Sequence, residues 1–196
     1  MAERKAVVTR ETKVTSVKVE LKIDGKGQFE ITTGIRFFDH MLSQLAQHGV
    51  FDIKLSATGT DQHHVVEDVA ISLGKALNQA LGDKSGIIRM AHAVVPMDDT
   101  LAMVALDIGG RGYTVFEASF SDTNIEKMPA ELIRHFFVSF ASEAKLNVHA
   151  KVLSGIDDHH KAEALFKALA RALDAATRLD ERITGKIPST KDTIEG

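Results

Sequence analysis

The chain has 196 residues, 44% of them hydrophobic, which is enough to bury the core of one ordinary domain and argues against disorder. Its 24 Lys and Arg against 27 Asp and Glu leave a formal charge of −3, too balanced for a counterion-release nucleic-acid binder and too dispersed for a polybasic membrane anchor. Cysteine is absent, which excludes a disulfide framework, a thiolate metal site and a cysteine nucleophile, so any metal must be held by His, Asp or Glu. The first eight residues lack the apolar stretch of a signal peptide, and no window approaches the ~18 continuous apolar residues of a spanning helix. A soluble cytoplasmic protein is expected.

In chain order, Val17, Val19, Leu21 and Ile23 alternate with polar or charged residues as a half-buried strand. Asp24-Gly25-Lys26-Gly27 reads as a tight turn into a second strand with Phe29 and Ile31, so a hairpin is expected. From Phe37 to His48 the spacing becomes helical, with Phe38, Met41, Leu42 and Leu45 apolar and Gly49 placed to end the helix at C′. Phe51, Ile53 and Leu55 form a strand, and a second helix follows Thr60 with Asp61 as N-cap. The first half is thus ββαβα. A linking strand is expected around Ile87 to Val95, then strands from Leu101 to Leu106 and from Tyr113 to Phe120 about a Gly109-Gly110-Arg111-Gly112 hairpin turn. Pro129 begins a helix carrying Leu132, Phe136, Phe137 and Phe140. Leu146, Val148 and Val152 mark a strand, and a last amphipathic helix starts near Asp157. Residues 185–196, with Pro188 and little apolar content, read as a mobile end.

The second half repeats the first. Setting His63 on His159 aligns Asp61 with Asp157, His64 with His160, Glu67 with Glu163, Leu73 with Leu169 and Leu77 with Leu173, and a one-residue gap puts His40 on His135. The expected architecture is α+β: tandem duplicated ββαβα units at about 10–84 and 87–183 within one domain, followed by a tail at 184–196. Two antiparallel or mixed sheets each carry two helices on one face, about an approximate two-fold axis.

Six of the nine histidines and two glutamates therefore occupy matched positions: His40, His63, His64, Glu67, His135, His159, His160 and Glu163. At ~100° per residue, His63 and Glu67 share one helix face while His64 is turned away, so each motif can serve two places. Imidazole and carboxylate donors suit a divalent transition ion, which predicts two metals with interleaved ligands, about three imidazoles and one carboxylate each, and open positions for chemistry. A single His-His pair is more often a solvated or capping feature, but a matched recurrence of every donor type favours a metal site. His48, His92 and His149 have no repeat partner and read as ordinary residues. The glycine-rich turn, Arg89, Arg111, the Ser189-Thr190-Lys191 tail and an Asp98-Asp99 solvated turn carry weaker signals.

Phe37-Phe38-Asp39-His40-Met41-Leu42, Asp61-Gln62-His63-His64-Val65-Val66-Glu67-Asp68, the Asp157 to Ala168 segment and the terminal Ser189-Thr190-Lys191 together closely resemble the imidazoleglycerol-phosphate dehydratase family, over nearly the whole chain. The resemblance implies a manganese-dependent lyase of histidine biosynthesis, with two Mn(2+) per active site, that converts imidazoleglycerol phosphate to imidazoleacetol phosphate. It implies a duplicated fold similar to the second domain of ribosomal protein S5 and a 24-subunit homo-oligomer with sites between subunits, acting on a small phosphorylated imidazole. The same eight residues become the metal ligands. Arg89, Arg111, Lys167, Ser189 and Lys191 become phosphate-holding residues, Gln44 lies near substrate, and the tail is ordered by ligand and neighbours.

The lost proton has no adjacent carbonyl to acidify it, so another electron sink is needed. A ring held as imidazolate between two metals could expel the hydroxyl through a diazafulvene-like intermediate, with Glu67 and Glu163 as catalytic ligands. One departure stands out. The family's N-terminal Arg-x-Thr-x-Glu-Thr segment carries its acid–base glutamate where this chain has Val14, and Glu11 is the candidate to take its place. Two other readings remain: a dinuclear metallohydrolase on a phosphorylated small molecule, and a metal-stapled non-catalytic shell protein. A nucleic-acid module and a membrane role are disfavoured by the charge.

Overall fold

In this computed structural model residues 3–194 are described. Val17, Val19 and Leu21 alternate along β2 (Thr15–Lys22), which sends all three to one buried face. β1 (Lys5–Glu11), a strand the sequence reading did not place, pairs antiparallel with β2 along its whole length. The expected hairpin between residues 17–23 and 29–31 does not form. β4 (Asp52–Gly59) separates β2 from β3 (Phe29–Thr32), giving the sheet order β1-β2-β4-β3. β4 takes the inner position because its buried Ile53, Leu55 and Ala57 face Leu21, Val19 and Val17, whereas β3 offers an exposed Phe29 and a half-buried Ile31. α1 (Arg36–Gly49) connects β3 to β4, and such a crossover leaves the two strands parallel.

Gly49 does not occupy the left-handed position. It is the last helical residue, and Val50 takes the left-handed conformation at φ 56°. A Cβ on Gly49 would lie 2.7 Å from the Phe51 ring, so glycine is needed there for close approach.

α2 (Gln62–Leu81) ends the first half. The second half repeats the pattern with β5 (Met90–Met97), β6 (Thr100–Asp107), β7 (Tyr113–Glu117), α3 (Glu131–Ala144), β10 (Asn147–Ser154) and α4 (Asp158–Thr177), in sheet order β5-β6-β10-β7. The strand expected to link the halves is therefore β5, the counterpart of β1, and each unit is βββαβα. β10 lies between β6 and β7, so the Gly109–Gly112 stretch is not a hairpin turn; a Cβ on Gly112 would sit 2.4 Å from Ser142 Cα of α3. A short hairpin of β8 (Asn124–Ile125) and β9 (Met128–Pro129) precedes α3 and has no counterpart in the first half.

Each sheet carries its own two helices on one face, and the helix pairs then pack on each other, α1 against α4 and α2 against α3. Phe38, Phe136, Phe137, Phe140 and Phe166 are fully buried there, each contributing roughly 1.5–3 kcal/mol of transfer free energy. The tail is docked on its own chain, against its compositional reading. Gly86 N–H donates to Lys186 O and Arg89 Nη1 to Pro188 O, each at 2.8 Å, and Ile194 is buried.

Candidate metal centres

Both His-His-x-x-Glu motifs start a helix. Asp61 caps α2 by accepting from His64 N–H, and Asp157 caps α4 by accepting from His160 N–H, both at 3.0 Å. The helical spacing then puts His63 with Glu67 and His159 with Glu163 on one face each. Because α1 packs on α4, His40 meets His159 and Glu163: His40 Nε2 and His159 Nε2 lie 3.0 and 3.2 Å from Glu163 Oε2. Because α2 packs on α3, His135 meets His63 and Glu67, with the two imidazoles stacked at 4.6 Å and His135 Nε2 3.5 Å from Glu67 Oε1. Within each trio the donor atoms all lie within 4.8 Å of one another. Each trio thus draws on both halves of the chain.

His64 and His160 belong to neither trio, as the helical rotation predicts. His64 Nδ1 sits 2.6 Å from Asp61 Oδ2 and His160 Nδ1 2.6 Å from Asp99 Oδ1. These carboxylates raise the pKa of each imidazole above its ordinary value, and in return His64 holds Asp61 down at about 2. With Nδ1 on a carboxylate, each ring has only Nε2 left to offer another partner, and in His160 that nitrogen lies 3.5 Å from Asp98 Oδ2.

The donors fit a divalent cation. His135 Nε2 is buried and has no hydrogen-bond partner among the described residues, with Glu67 Oε1 3.5 Å away. Imidazole nitrogen with carboxylate oxygen is a set that transition ions favour. Burial opposes ionisation of Glu163, but Lys167 and His40 outweigh it and hold the carboxyl below its ordinary range.

Of the other residues singled out from the sequence, Gln44 and Lys167 lie beside the first trio. Gln44 Nε2 is 3.3 Å from His40 Nδ1, and Lys167 Nζ is 2.7 Å from Glu163 Oε1. Arg89, Ser189, Lys191 and Arg111 gather instead around the docked tail. Arg89 pairs with Asp107 through Nε at 2.7 Å and Nη2 at 3.0 Å, and Ser189 Oγ accepts from Lys191 N–H. Arg111 lines a hollow with Lys84, Lys145 and Ile194. Glu11 sits at the end of β1, where it accepts from Ser16 Oγ at 2.7 Å. Val14 lies on the β1–β2 turn, whose conformation is fixed by buried Asp68 through Arg10 Nε and Thr15 Oγ1.

Two functional neighbours escaped the sequence reading. Asp99 is not a merely solvated turn residue, since it accepts from His160 and from the Asp157 N–H. No spacing rule signals it, because the contact is made between residues 61 positions apart. Glu126, on the β8–β9 turn, has Oε1 3.8 Å from His159 Nδ1. It lines a cavity of about 520 Å³ with His40, His159, Gln62, Arg36 and Lys127.

The family model described as Imidazoleglycerol-phosphate dehydratase matches residues 33–173. The chain is similar to the imidazoleglycerol-phosphate dehydratase of Dehalococcoides mccartyi, at 58% identity over 195 residues covering 100% of both chains. Among solved structures it is similar to the Staphylococcus aureus enzyme, at 32% identity and TM-score 0.82 over 89% of this chain and 100% of that one. The Pyrococcus furiosus enzyme, solved in complex with (S)-C348, matches at 33% identity and TM-score 0.83 over 95% and 99%.

Proposed function

The chain belongs to the imidazoleglycerol-phosphate dehydratase family, and on that premise we propose that its two His/Glu trios are the catalytic metal centres of the reaction. It is a hydro-lyase that dehydrates imidazoleglycerol phosphate in histidine biosynthesis, so its substrate is a phosphorylated imidazole. The observation that carries the metal reading is the recurrence of one donor arrangement, two imidazoles and a carboxylate, across both interfaces between the halves.

Two Mn(2+) ions per site would be held by His40, His159 and Glu163 and by His63, Glu67 and His135, and they would supply Lewis acidity toward the ring nitrogens and the departing hydroxyl. His64 and His160 belong to neither trio of their own chain, which supports their completing the centres of other copies. The same division of donors supports a homo-oligomer with sites between subunits, for which the family resemblance implies a 24-subunit shell. Exposed Met90, Val94, Tyr113 and Leu153 on the second sheet add apolar surface for such contacts.

Within one chain, Lys167 and Gln44 stand next to the first trio, where an ammonium and an amide can orient substrate oxygens. Arg89, Arg111, Ser189 and Lys191 form the phosphate-holding group at the tail, anchoring the end of the glycerol chain away from the reacting carbon. Glu11 is the carboxylate assigned to move the carbon-bound proton, since Val14 cannot do so. A cytoplasmic location accords with the described helices, none of which is long and apolar enough to cross a membrane.

The test is product analysis on metal-stripped protein before and after Mn(2+) is restored. Imidazoleacetol phosphate formed only after restoration is the expected result. Turnover unaffected by metal removal would remove the trios from catalysis, and release of inorganic phosphate would favour a metallohydrolase.

A further inference from the structure

We propose that Glu126 is a positioning residue for His159: its carboxylate faces Nδ1 and keeps the ring turned so that Nε2 faces Glu163 and the metal beside it. The inference rests on the metal reading above and concerns a residue that the ligand motifs do not contain.

The two nitrogens of His159 face two different carboxylates, Nε2 toward Glu163 Oε2 at 3.2 Å and Nδ1 toward Glu126 Oε1 at 3.8 Å. Two other candidate ligands show a carboxylate on Nδ1, His64 with Asp61 and His160 with Asp99, whereas His40 Nδ1 accepts from the Gln44 amide. An acceptor on the far nitrogen fixes tautomer and ring orientation. At 3.8 Å the Glu126 contact is longer than a hydrogen bond, so it biases the ring's orientation without clamping it.

The backbone shows that Glu126 is held in place at a cost. Glu126 and Lys127 both take positive φ, 48° and 73°, in a two-residue turn of the kind that Asn-Gly fills without strain. Three anchors maintain it. Ile125 and Met128 are buried on either side, and Gln62 Nε2 at the start of α2 donates to Lys127 O at 3.3 Å. The preceding loop is tied to the first turn of α4, where buried Asp158 accepts from Ser121 and Asp122 N–H and pairs with Lys161, which also donates to Ser119 O. That helical turn also carries His159. The hairpin therefore registers Glu126 against the ring it faces and spans the starts of both motif helices.

Titration of metal-stripped full-length protein with Mn(2+) alone, alongside thermal melts, separates positioning from turn structure. Glu126→Gly relieves the positive φ, so its Tm should equal or exceed the wild-type value while Mn(2+) affinity falls about tenfold; Glu126→Asp should recover part of the loss. Wild-type affinity in Glu126→Gly overturns the proposal, as does a loss that appears only together with a lowered Tm. His159→Ala is the control for the centre itself: if it binds Mn(2+) like wild type, the metal reading has failed, not the Glu126 inference. That inference keeps an independent readout, the orientation of the His159 ring in crystals of metal-free protein. The ring should keep Nδ1 toward Glu126 in wild type and lose that orientation in Glu126→Gly; the same ring orientation in the two would contradict it.

Discussion

Asp61 performs two tasks with one carboxylate, capping α2 through His64 N–H and holding His64 Nδ1. Asparagine caps a helix about as well as aspartate, so Asp61→Asn should leave the melting temperature nearly unchanged while weakening Mn(2+) binding by about tenfold or more. Calorimetry of both quantities on one preparation checks this, and a parallel loss of stability would show that the cap dominates. Glu11 has a more exposed role. Glu11→Gln should lower kcat by about a hundredfold if that carboxylate moves the proton, and Val14→Glu in the same background should restore turnover. Unchanged steady-state kinetics in Glu11→Gln would release Glu11 from the reaction. At this scale the pairs His63 with Glu67 and His159 with Glu163 were legible in the sequence because donors on one helix obey a spacing rule, whereas the meeting of His40 with the second pair and His135 with the first depends on how the helices pack. Asp99 and Glu126 were not legible, because they reach their histidines across turns whose placement depends on the finished fold.

Between elements, the decisive contacts are those joining the two halves. Gly74 of α2 faces α3 so closely that a Cβ there would lie 2.6 Å from Phe140 O. Gly74→Ala should cost about 1–3 kcal/mol in denaturant unfolding through overpacking of that helix pair, and a neutral result would mean that the helices can move apart freely. Arg4 ties the β2–β3 turn to the end of α4, pairing with Asp24 and donating to Thr177 O. Arg4 holds the Asp24 carboxyl below its ordinary range against the effect of burial. A depressed folded pKa stabilises above the unfolded value, and that stabilisation is lost as pH falls through the folded one. Asp24→Asn should therefore lose about 0.5–1 kcal/mol near neutral pH, limited by solvent screening, and match wild type once both states are protonated in acid. A pH series of urea melts reads this directly. Helices α1 to α4 were legible from their 3.6-residue periodicity. The strand pairing was not, because alternation identifies a strand without naming its neighbour: β2 and β3 read as a hairpin until β4, with the more buried face, takes the place between them.

For the whole molecule, duplication explains why the site exists. Neither half holds a complete trio, since His40 needs α4 and His135 needs α2. In the proposed oligomer His64 and His160 would extend the same logic beyond one chain. Chelation should lower the particle mass measured by light scattering, and restored Mn(2+) should raise it again; a mass independent of metal would separate assembly from the centres.

The central claim is tested most directly by anomalous diffraction at the manganese edge from crystals of the Mn(2+)-loaded protein. The account predicts two peaks per chain, one among His40, His159 and Glu163 and one among His63, Glu67 and His135, each also approached by a His64 or His160 nitrogen from another copy. Peaks elsewhere, or trios that stay empty while the crystals hold manganese, would contradict it.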